Sequence, residues 1–250
     1  MVLTHALTPP LARLRIDRAA KRNAFTQEMW EALPGLLVRA MADDAIRVLL
    51  LESATPGMFC AGADISELLD KSADPDWRAA NQAAINRAQY ELTRAPKPTV
   101  AFVDGDCVGG GCGLALACDL RIATARARFG ITPAKLGLVY PLHDTKLLVD
   151  LVGPSQAKRI LFTGALLSAD EALRIGLIDQ IADSPHPIVE AIAAVSPHST
   201  REAKAMVRRV LDGQADDDDE TRAIFADAFT LPDFEEGVRA FTEKRKPVFR

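Results

Sequence analysis

Two segments of this chain combine an apolar strand with a helix start rich in small residues. FCAGADI at 59–65 follows the apolar run VLLLES, and VGGGCGLALACD at 108–119 follows TVAFV. The first amides of a helix have no intrahelical acceptor and lie at its positive end, so they can donate to an incoming oxygen. Two such amides that converge on one carbonyl oxygen would form an oxyanion hole, and Ala63 and Gly110 are the candidate donors.

Small residues favour this interpretation. Residues 61–63 and the glycines at 109–111 leave room for a ligand to approach the main chain closely. A glycine run by itself also occurs in flexible turns and in tight helix packing. Two such segments in this order, each after a buried strand, favour a site. The carboxylate of Asp64 is more readily explained as a cap of its own helix than as a reacting group.

The composition excludes several classes of protein. The 250 residues carry a formal net charge of −4, with 48% hydrophobic and 26% charged residues, which is typical of one large domain or a domain with a small appendage. The negative charge argues against nucleic acid as the main partner, and no apolar run reaches the length of a membrane span. The N-terminal MVLTHALTPP has neither a basic start nor a long apolar segment, so we expect a cytoplasmic location.

The four cysteines, Cys60, Cys107, Cys112 and Cys118, lie within or beside the two segments. Metal clusters favour closer pairs such as CxxC with histidine support, so the sequence predicts no metal site. The long spacings and apolar neighbours instead predict reduced, buried cysteines that act as small hydrophobic side chains.

The hydrophobic pattern predicts an α/β fold in which strands and helices alternate. Apolar spacing predicts strands at 12–17, 46–53, 99–105 and 119–124, and helices at 27–41, 65–71, 76–94 and 109–117. Alternation of this kind favours parallel pairing of the strands. After about residue 145 we expect a mostly helical chain, with helices that stop at Gly153, Gly164 and Gly176 and a brief strand in LIDQIA.

KRNAFT at 21–26, the two helix-start segments, FTGALLSADEALRIGLID and the C-terminal FTEKRKPVF together resemble the motifs of the crotonase superfamily, the enoyl-CoA hydratase/isomerase group. The resemblance covers essentially the whole chain. It implies a spiral of ββα units followed by a C-terminal helical region. It also implies a core with an acyl-CoA site over residues 1–190 and a helical trimerisation region over 191–250, in a homotrimer or a dimer of trimers.

The same resemblance implies an acyl-CoA thioester as the substrate, with coenzyme A as part of it and no separate cofactor. Ala63 and Gly110 would donate to the thioester oxygen and stabilise an enolate. Main-chain groups of Ala24 and Ala61 would lie along the pantetheine arm and the adenine.

Four further residues are candidates for contacts with the nucleotide part of CoA. Lys21 and Arg22 are candidates for phosphate contacts, because charge-assisted hydrogen bonds suit phosphate. Phe241 and Lys244 match positions of the family's C-terminal helix that meet the nucleotide, often from a neighbouring subunit. The sequence leaves open whether these four side chains are instead ordinary exposed surface.

Hydratases of this superfamily carry one glutamate after the glycine run and another after an FG segment, where this chain has Gly113 and Pro133. Residue 113 lies one helical turn beyond Gly110, so a glutamate there would overhang the acyl group. Neither side chain present can transfer a proton, and each general acid or base contributes about 10²–10⁴ in rate. We therefore expect isomerase or decarboxylase/lyase chemistry rather than true hydration, or alternatively a non-catalytic acyl-CoA-binding protein.

Three neighbouring residues are candidates for proton transfer. ITPAKLGLVY resembles a segment of methylmalonyl-CoA decarboxylases, in which Tyr140 would orient a carboxylate or deliver a proton; packing in the core with a solvated hydroxyl is the alternative. That match is incomplete, because those decarboxylases carry an acid where Gly113 stands. Asp144 lies where other family members place an acid, although it could merely cap a helix that begins at Thr145. His143 is the only histidine near a motif, and an ordinary loop residue is the alternative.

Overall fold

The computed structural model describes residues 3–249, which form two β-sheets and a set of surrounding helices. The strands are β1 (Leu3–Thr8), β2 (Leu11–Ile16), β3 (Val48–Ser53), β4 (Met58–Cys60), β5 (Thr99–Val103), β6 (Asp106–Val108), β7 (Leu120–Ala123), β8 (Arg128–Gly130), β9 (Leu166–Ser168) and β10 (Gln180–Ile181). The helices are α1 (Gln27–Ala42), α2 (Ile65–Lys71), α3 (Pro75–Thr93), α4 (Gly110–Ala117), α5 (Leu142–Thr163), α6 (Ala169–Arg174), α7 (His186–Ala193), α8 (Pro197–Leu211), α9 (Asp219–Asp227) and α10 (Pro232–Thr242).

Most of the strand pairs are parallel, as the alternation of strands and helices predicts. Six strands form one sheet in the order β1-β2-β3-β5-β7-β10, and four short strands form the other in the order β4-β6-β8-β9. Only the pairs β1–β2 and β8–β9 are antiparallel among the described strands. Strand β3 is buried from Val48 to Glu52, as expected of a parallel strand that is covered on both faces.

The chain winds in repeats of one strand from each sheet followed by helix. The strands β3 and β4 lead into α2 and α3, β5 and β6 lead into α4, and β7 and β8 lead through a short 3-10 helix into α5. The predicted ββα arrangement is therefore confirmed. Because β4 and β6 pair in parallel, the chain leaves both strands at the same edge of the sheet. The segments that follow these strands, which contain the two candidate amides, are thereby brought together.

Local signals in the sequence determine several element boundaries. The Thr26 hydroxyl accepts a hydrogen bond from the amide of Met29, so α1 begins at Gln27 as predicted. Residues 142–163 form two helical segments that meet at Gly153, whose φ of +72° and ψ of 165° lie outside the helical region, so the predicted stop at this glycine is confirmed. Gly164 ends the second segment in the left-handed conformation, as predicted.

The chain is helical from α7 onward, and the predicted division between residues 190 and 191 lies within that helix. All four cysteines are buried and carry free thiols, which confirms the prediction from their spacing. No helix within residues 3–249 is long and apolar enough to cross a membrane.

Helix α4 packs against β4 at a distance that only glycine permits. A β-carbon on Gly111 would lie 2.6 Å from the carbonyl oxygen of Cys60 and 2.7 Å from its Cβ. Ala63 lies three residues after the end of β4, and Gly110 is the first residue of α4. The contact between β4 and α4 therefore determines how closely the two candidate amides approach each other.

We expect Gly111→Ala to lower the free energy of unfolding by about 1–3 kcal/mol, because the added methyl group overpacks this contact. Gly35→Ala is the matched control, since nothing lies within 4 Å of its β-carbon position and alanine is favoured in a helix interior. Urea denaturation of both variants checks the prediction. Unchanged stability of Gly111→Ala would contradict the close packing of α4 on β4.

Candidate active site

The structure brings Ala63 and Gly110 together through glycine contacts. A β-carbon on Gly62 would lie 3.3 Å from the amide nitrogen of Gly110 and 2.9 Å from the carbonyl oxygen of Val108. A β-carbon on Gly110 would lie 3.9 Å from the amide nitrogen of Ala63. Gly62 has a φ of +95°, a conformation that favours glycine. Two stretches distant in sequence therefore meet along their backbones.

The amides next to these two positions have internal acceptors. Asp64 donates to the carbonyl of Phe25 at 2.9 Å, and Gly109 donates to the carbonyl of Gly130 at 2.8 Å. Within residues 3–249, the amides of Ala63 and Gly110 have no protein acceptor among the hydrogen bonds of the structure. Gly110 is the first residue of α4, where an unpaired amide at the positive end of the helix is expected. The pair is thus available to a ligand oxygen.

The loop that precedes α1 holds the Ala63 segment in place. The Asn23 side chain is fully buried and donates to the carbonyl oxygens of Met58 at 3.2 Å and Phe59 at 3.0 Å. Phe25 donates to the carbonyl of Gly62 at 2.8 Å. Carbonyl oxygens of residues 58–62 thus accept hydrogen bonds from Asn23 and Phe25, and these bonds restrain the position of the segment.

Asp64 caps α2, as predicted. Its carboxylate accepts from the amides of Ser66 and Glu67 and pairs with Arg18 at 2.7 Å. The Ser66 hydroxyl, with a smaller contribution from Arg18, holds the pKa of Asp64 well below its ordinary value. The carboxylate is therefore permanently charged at neutral pH and has a structural role.

The space above Gly113 is filled by two side chains from other helices. A β-carbon on Gly113 would overlap the terminal amide of Gln89 from α3 and would lie 3.4 Å from Oδ2 of Asp144 on α5. Gln89 is fully buried, and its NH2 group, as the hydrogen-bond network orients it, donates to the Asp144 carboxylate. A carboxyl group therefore stands where a side chain on residue 113 would project, one turn of α4 beyond Gly110.

Burial makes Asp144 a weak acid. The residue is 2% exposed, and burial raises the pKa of its carboxyl from 3.8 to about 6, while the hydrogen bond from Gln89 opposes part of the rise. The alternative of a cap for a helix at Thr145 is wrong. The helix begins at Leu142 after Pro141, and Asp144 points into the packing between helices instead of capping.

Tyr140 and His143, which precede Asp144 in the chain, each carry an unpaired polar atom. Among the described residues, neither the Tyr140 hydroxyl nor Nε2 of His143 has a hydrogen-bond partner, although both atoms are buried. Burial, and then the charge of Asp144, raise the pKa of Tyr140. Burial and the cations of Arg208 and two other residues lower the pKa of His143. Tyr140 packs against the core, as its alternative predicted, but its hydroxyl is buried and not exposed to solvent. His143 lies in α5 and not in a loop.

The family model for enoyl-CoA hydratase/isomerase matches residues 9–250. This chain belongs to the enoyl-CoA hydratase/isomerase family. It is 34% identical over 248 residues to a crotonyl-CoA hydratase of Syntrophomonas wolfei, covering 96% of this chain and 94% of that protein. It is 30% identical to a short-chain-enoyl-CoA hydratase of Clostridium acetobutylicum, covering 94% of this chain and 92% of that protein.

A solved structure of an enoyl-CoA hydratase/isomerase family protein from Hyphomonas neptunium matches with a TM-score of 0.96 at 39% identity, covering 100% of this chain and 98% of that one. A structure of an enoyl-CoA hydratase/carnithine racemase from Magnetospirillum magneticum matches with a TM-score of 0.95 at 28% identity, covering 100% of this chain and 96% of that one. The predicted crotonase fold is therefore confirmed.

Four of the residues that we predicted to contact CoA lie near the Ala63 segment, namely Lys21, Arg22, Ala24 and Ala61. Ala61 donates its amide to the carbonyl of Arg22 at 3.0 Å, and Ala24 follows within the same loop. The Lys21 ammonium donates to the Ser66 hydroxyl at 3.2 Å. The structure thus groups these residues beside the first candidate amide, and their contacts with CoA stay predictions.

Two other predicted CoA contacts lie at the end of α10. Phe241 is 87% exposed, and Lys244 follows just after the helix with a φ of +53°. None of the hydrogen bonds or ion pairs within residues 3–249 links them to the Ala63 segment. Their meeting with the nucleotide, from this subunit or another, stays a prediction.

Gln89 is the residue of this site that the sequence did not reveal. It occupies an inward position of α3 beside the buried Ala88 and Leu92, where a polar side chain is unusual and could have served as a signal. Pro133, which we predicted to stand at the second glutamate position of hydratases, is the first residue of the 3-10 helix Pro133–Leu136, and that correspondence stays a prediction. No group of three or more His, Cys, Asp or Glu side chains within residues 3–249 is arranged to hold a metal ion.

We expect ionised Asp144 to destabilise the folded protein. Because its pKa is raised from 3.8 to about 6 by folding, stability falls as pH rises through this window and stays reduced above it. The full effect of this rise in pKa on the free energy of unfolding is roughly 3 kcal/mol. Roughly 1 kcal/mol of this loss occurs between about pH 5 and pH 8.

Asp144→Asn keeps the shape of the side chain and removes its charge. The free energy of unfolding of this variant, minus that of the natural protein, should therefore be roughly 1 kcal/mol larger at about pH 8 than at about pH 5. Urea denaturation at both pH values checks this. Asp150→Asn, on the same helix and paired with Lys146 at 2.6 Å, is the control. An equal effect of Asp144→Asn at both pH values would show that the carboxyl titrates normally.

Proposed function

We propose that this protein binds acyl-CoA thioesters and isomerises 3-enoyl-CoA to 2-enoyl-CoA, with the enolate held by the amides of Ala63 and Gly110 and the proton moved by Asp144. The observation that carries the proposal is the Asp144 carboxyl, which is buried with a pKa of about 6 and lies beside Gly113, one helical turn beyond the unpaired amide of Gly110. The family match supports the acyl-CoA substrate.

One carboxylate is sufficient for this isomerisation. Asp144 removes a proton from C2, and the electron pair of the C–H bond moves into the enolate, whose oxygen accepts from the two amides. The same proton is then returned to C4 as the double bond moves from C3–C4 to C2–C3 and the carbonyl re-forms. A group with a pKa close to the working pH is suited to both halves of this transfer.

Hydration needs a second group, because water must be activated while a proton is delivered to carbon. Gly113 has no side chain, and Pro133 has neither an ionisable side chain nor a backbone donor. The relatives from Syntrophomonas wolfei and Clostridium acetobutylicum are named as hydratases. We propose that this chain shares their substrate class and has slower hydration.

Decarboxylation is the second candidate. The observation that favours it is the buried Tyr140 hydroxyl, which has no partner within residues 3–249 and could orient a substrate carboxylate. When CO2 leaves, the electron pair of its C–C bond forms the enolate of a saturated acyl-CoA, which the two amides would stabilise and which then takes a proton from water at C2, so no base is needed. It would depend on Tyr140 and not on Asp144, which distinguishes the two candidates.

We also propose that the helical region 191–250 contacts other subunits in a homotrimer or a dimer of trimers. Large apolar side chains on α9, α10 and the turn between them support this, since Phe225, Phe229, Phe234 and Phe241 are each more than two-fifths exposed. The acyl-CoA site would then be completed at a subunit boundary.

Turnover of crotonyl-CoA, a 3-enoyl-CoA and methylmalonyl-CoA by the natural protein, Asp144→Asn and Tyr140→Phe tests the proposal. We expect isomerisation to be the fastest reaction and to fall by about 10²–10⁴ in Asp144→Asn, with little change in Tyr140→Phe. Because the ionised carboxylate is the base, kcat/KM should rise with pH and level off above about 6.

Other outcomes select the other candidates. Release of CO2 from methylmalonyl-CoA that Tyr140→Phe abolishes would establish the decarboxylase. Tight binding of every thioester without any product would establish a binding protein. Rapid hydration of crotonyl-CoA would contradict the interpretation of Gly113 and Pro133.

A further inference from the structure

Three helices meet at one level beside the oxyanion hole. Gln89 on α3, Gly113 on α4 and Asp144 on α5 come together there, and the Gln89 amide occupies the space directly above Gly113. The three helices continue past this level in the same sense. Residues three or four positions later on a helix lie on the same face, so the next turn of each helix also faces the others.

That next turn surrounds a cavity of about 460 Å³. Its walls include Thr93 from α3, Leu116 and Ala117 from α4, and Leu147 and Leu151 from α5. Helix α8 closes the far side. The walls are mainly apolar, and the ammonium of Lys204 on α8 is paired with Asp119 at 2.7 Å. The volume lies within the range of small-molecule sites.

Position along α4 gives the order of these features. Gly110 carries the candidate amide, Gly113 lies three residues later, and Leu116 and Ala117 follow after another three or four. At a rise of about 1.5 Å per residue, each step is roughly 5 Å. An acyl chain that extends from the thioester along α4 would therefore reach the level of Gly113 before it reached the cavity.

We propose that Gln89 is a specificity-determining residue that ends the acyl site at the level of Gly113 and restricts the protein to short acyl groups. The Gln89 side chain is fully buried and its hydrogen bond to Asp144 holds it across the route to the cavity. The inference rests on the proposed function in one respect, namely that an acyl-CoA thioester binds at Ala63 and Gly110.

Replacing Gln89 by a shorter residue should connect the acyl site with the cavity. Each CH2 group that enters an apolar cavity contributes about fourfold in affinity. A chain six CH2 groups longer than butyryl should then gain at least tenfold, even if only part of it is buried. The natural protein should show no such gain, because Gln89 stands between the thioester and the apolar walls.

Calorimetric titration with butyryl-CoA and decanoyl-CoA tests the inference, since neither saturated thioester isomerises. The measured quantity is the ratio of the Kd of butyryl-CoA to the Kd of decanoyl-CoA. We expect this ratio to be at least tenfold larger in Gln89→Ala than in the natural protein. The ratio cancels any effect of the unpaired Asp144 on thioester binding. Gln82→Ala, on an outer face of the same helix where Gln82 bonds Asn86, is the control and should leave the ratio unchanged.

Filling the cavity should reverse the gain. Ala117→Leu in the Gln89→Ala background narrows the cavity from α4 and should restore the natural ratio, with folding checked by circular dichroism. Should that variant fail to fold, Val207→Trp narrows the same cavity from α8, where Val207 is 60% exposed.

The outcomes separate this inference from the proposed function. An unchanged ratio in Gln89→Ala, or a natural protein that already prefers decanoyl-CoA tenfold, would overturn the inference alone. Failure to bind either thioester would overturn the proposed function and the inference with it. Binding with the expected ratios but without isomerisation would support the inference and leave only the role of Asp144 refuted.

Discussion

The site depends on two backbone amides that the fold leaves without acceptors. The residues that carry them, Ala63 and Gly110, are only partly buried, and Gly110 is the first residue of α4, so both amides stay open to a ligand oxygen. Here Asp64 and Gly109, the neighbours of Ala63 and Gly110 in sequence, have backbone partners, and the glycine contact at Gly62 brings the two amide-bearing segments together. Parallel pairing of β4 with β6 makes this possible.

The volume above Gly113 is the second constraint. It can hold a side chain on residue 113 or the paired Gln89 and Asp144, and it does not have room for both. Because residue 113 is glycine, a carboxyl from α5 reaches this space, and burial raises the pKa of that carboxyl to about 6. In the proposed function, this one packing arrangement supplies the acid–base group and also closes the acyl end of the site.

The meeting of the Ala63 and Gly110 segments was predictable, because backbone forms the contact and small residues at 61–63 and 109–111 indicate it in the sequence. The Thr26 and Asp64 caps were predictable for a similar reason, since each bonds amides only two or three residues away. The contact of Gln89 with Asp144 joins residues 55 positions apart in sequence, and no local pattern encodes it. Whether Asp144 caps a helix depends on where the helix begins, and only the fold shows that it begins at Leu142.

The short strands of the second sheet also escaped prediction. Strands β4, β6 and β8 each have three residues, too few for alternation to be visible. They nonetheless position both amides, because each leads directly into a loop or helix start that borders the site. Long-range pairing, and not local propensity, determines where these segments lie.

A crystal structure of the protein with a saturated acyl-CoA would test the central claim most directly. We predict that the thioester oxygen lies about 3 Å from both the Ala63 and the Gly110 nitrogens, with the acyl α-carbon facing Asp144. A thioester oxygen that contacts neither amide, or a CoA bound at another face of the protein, would contradict the account.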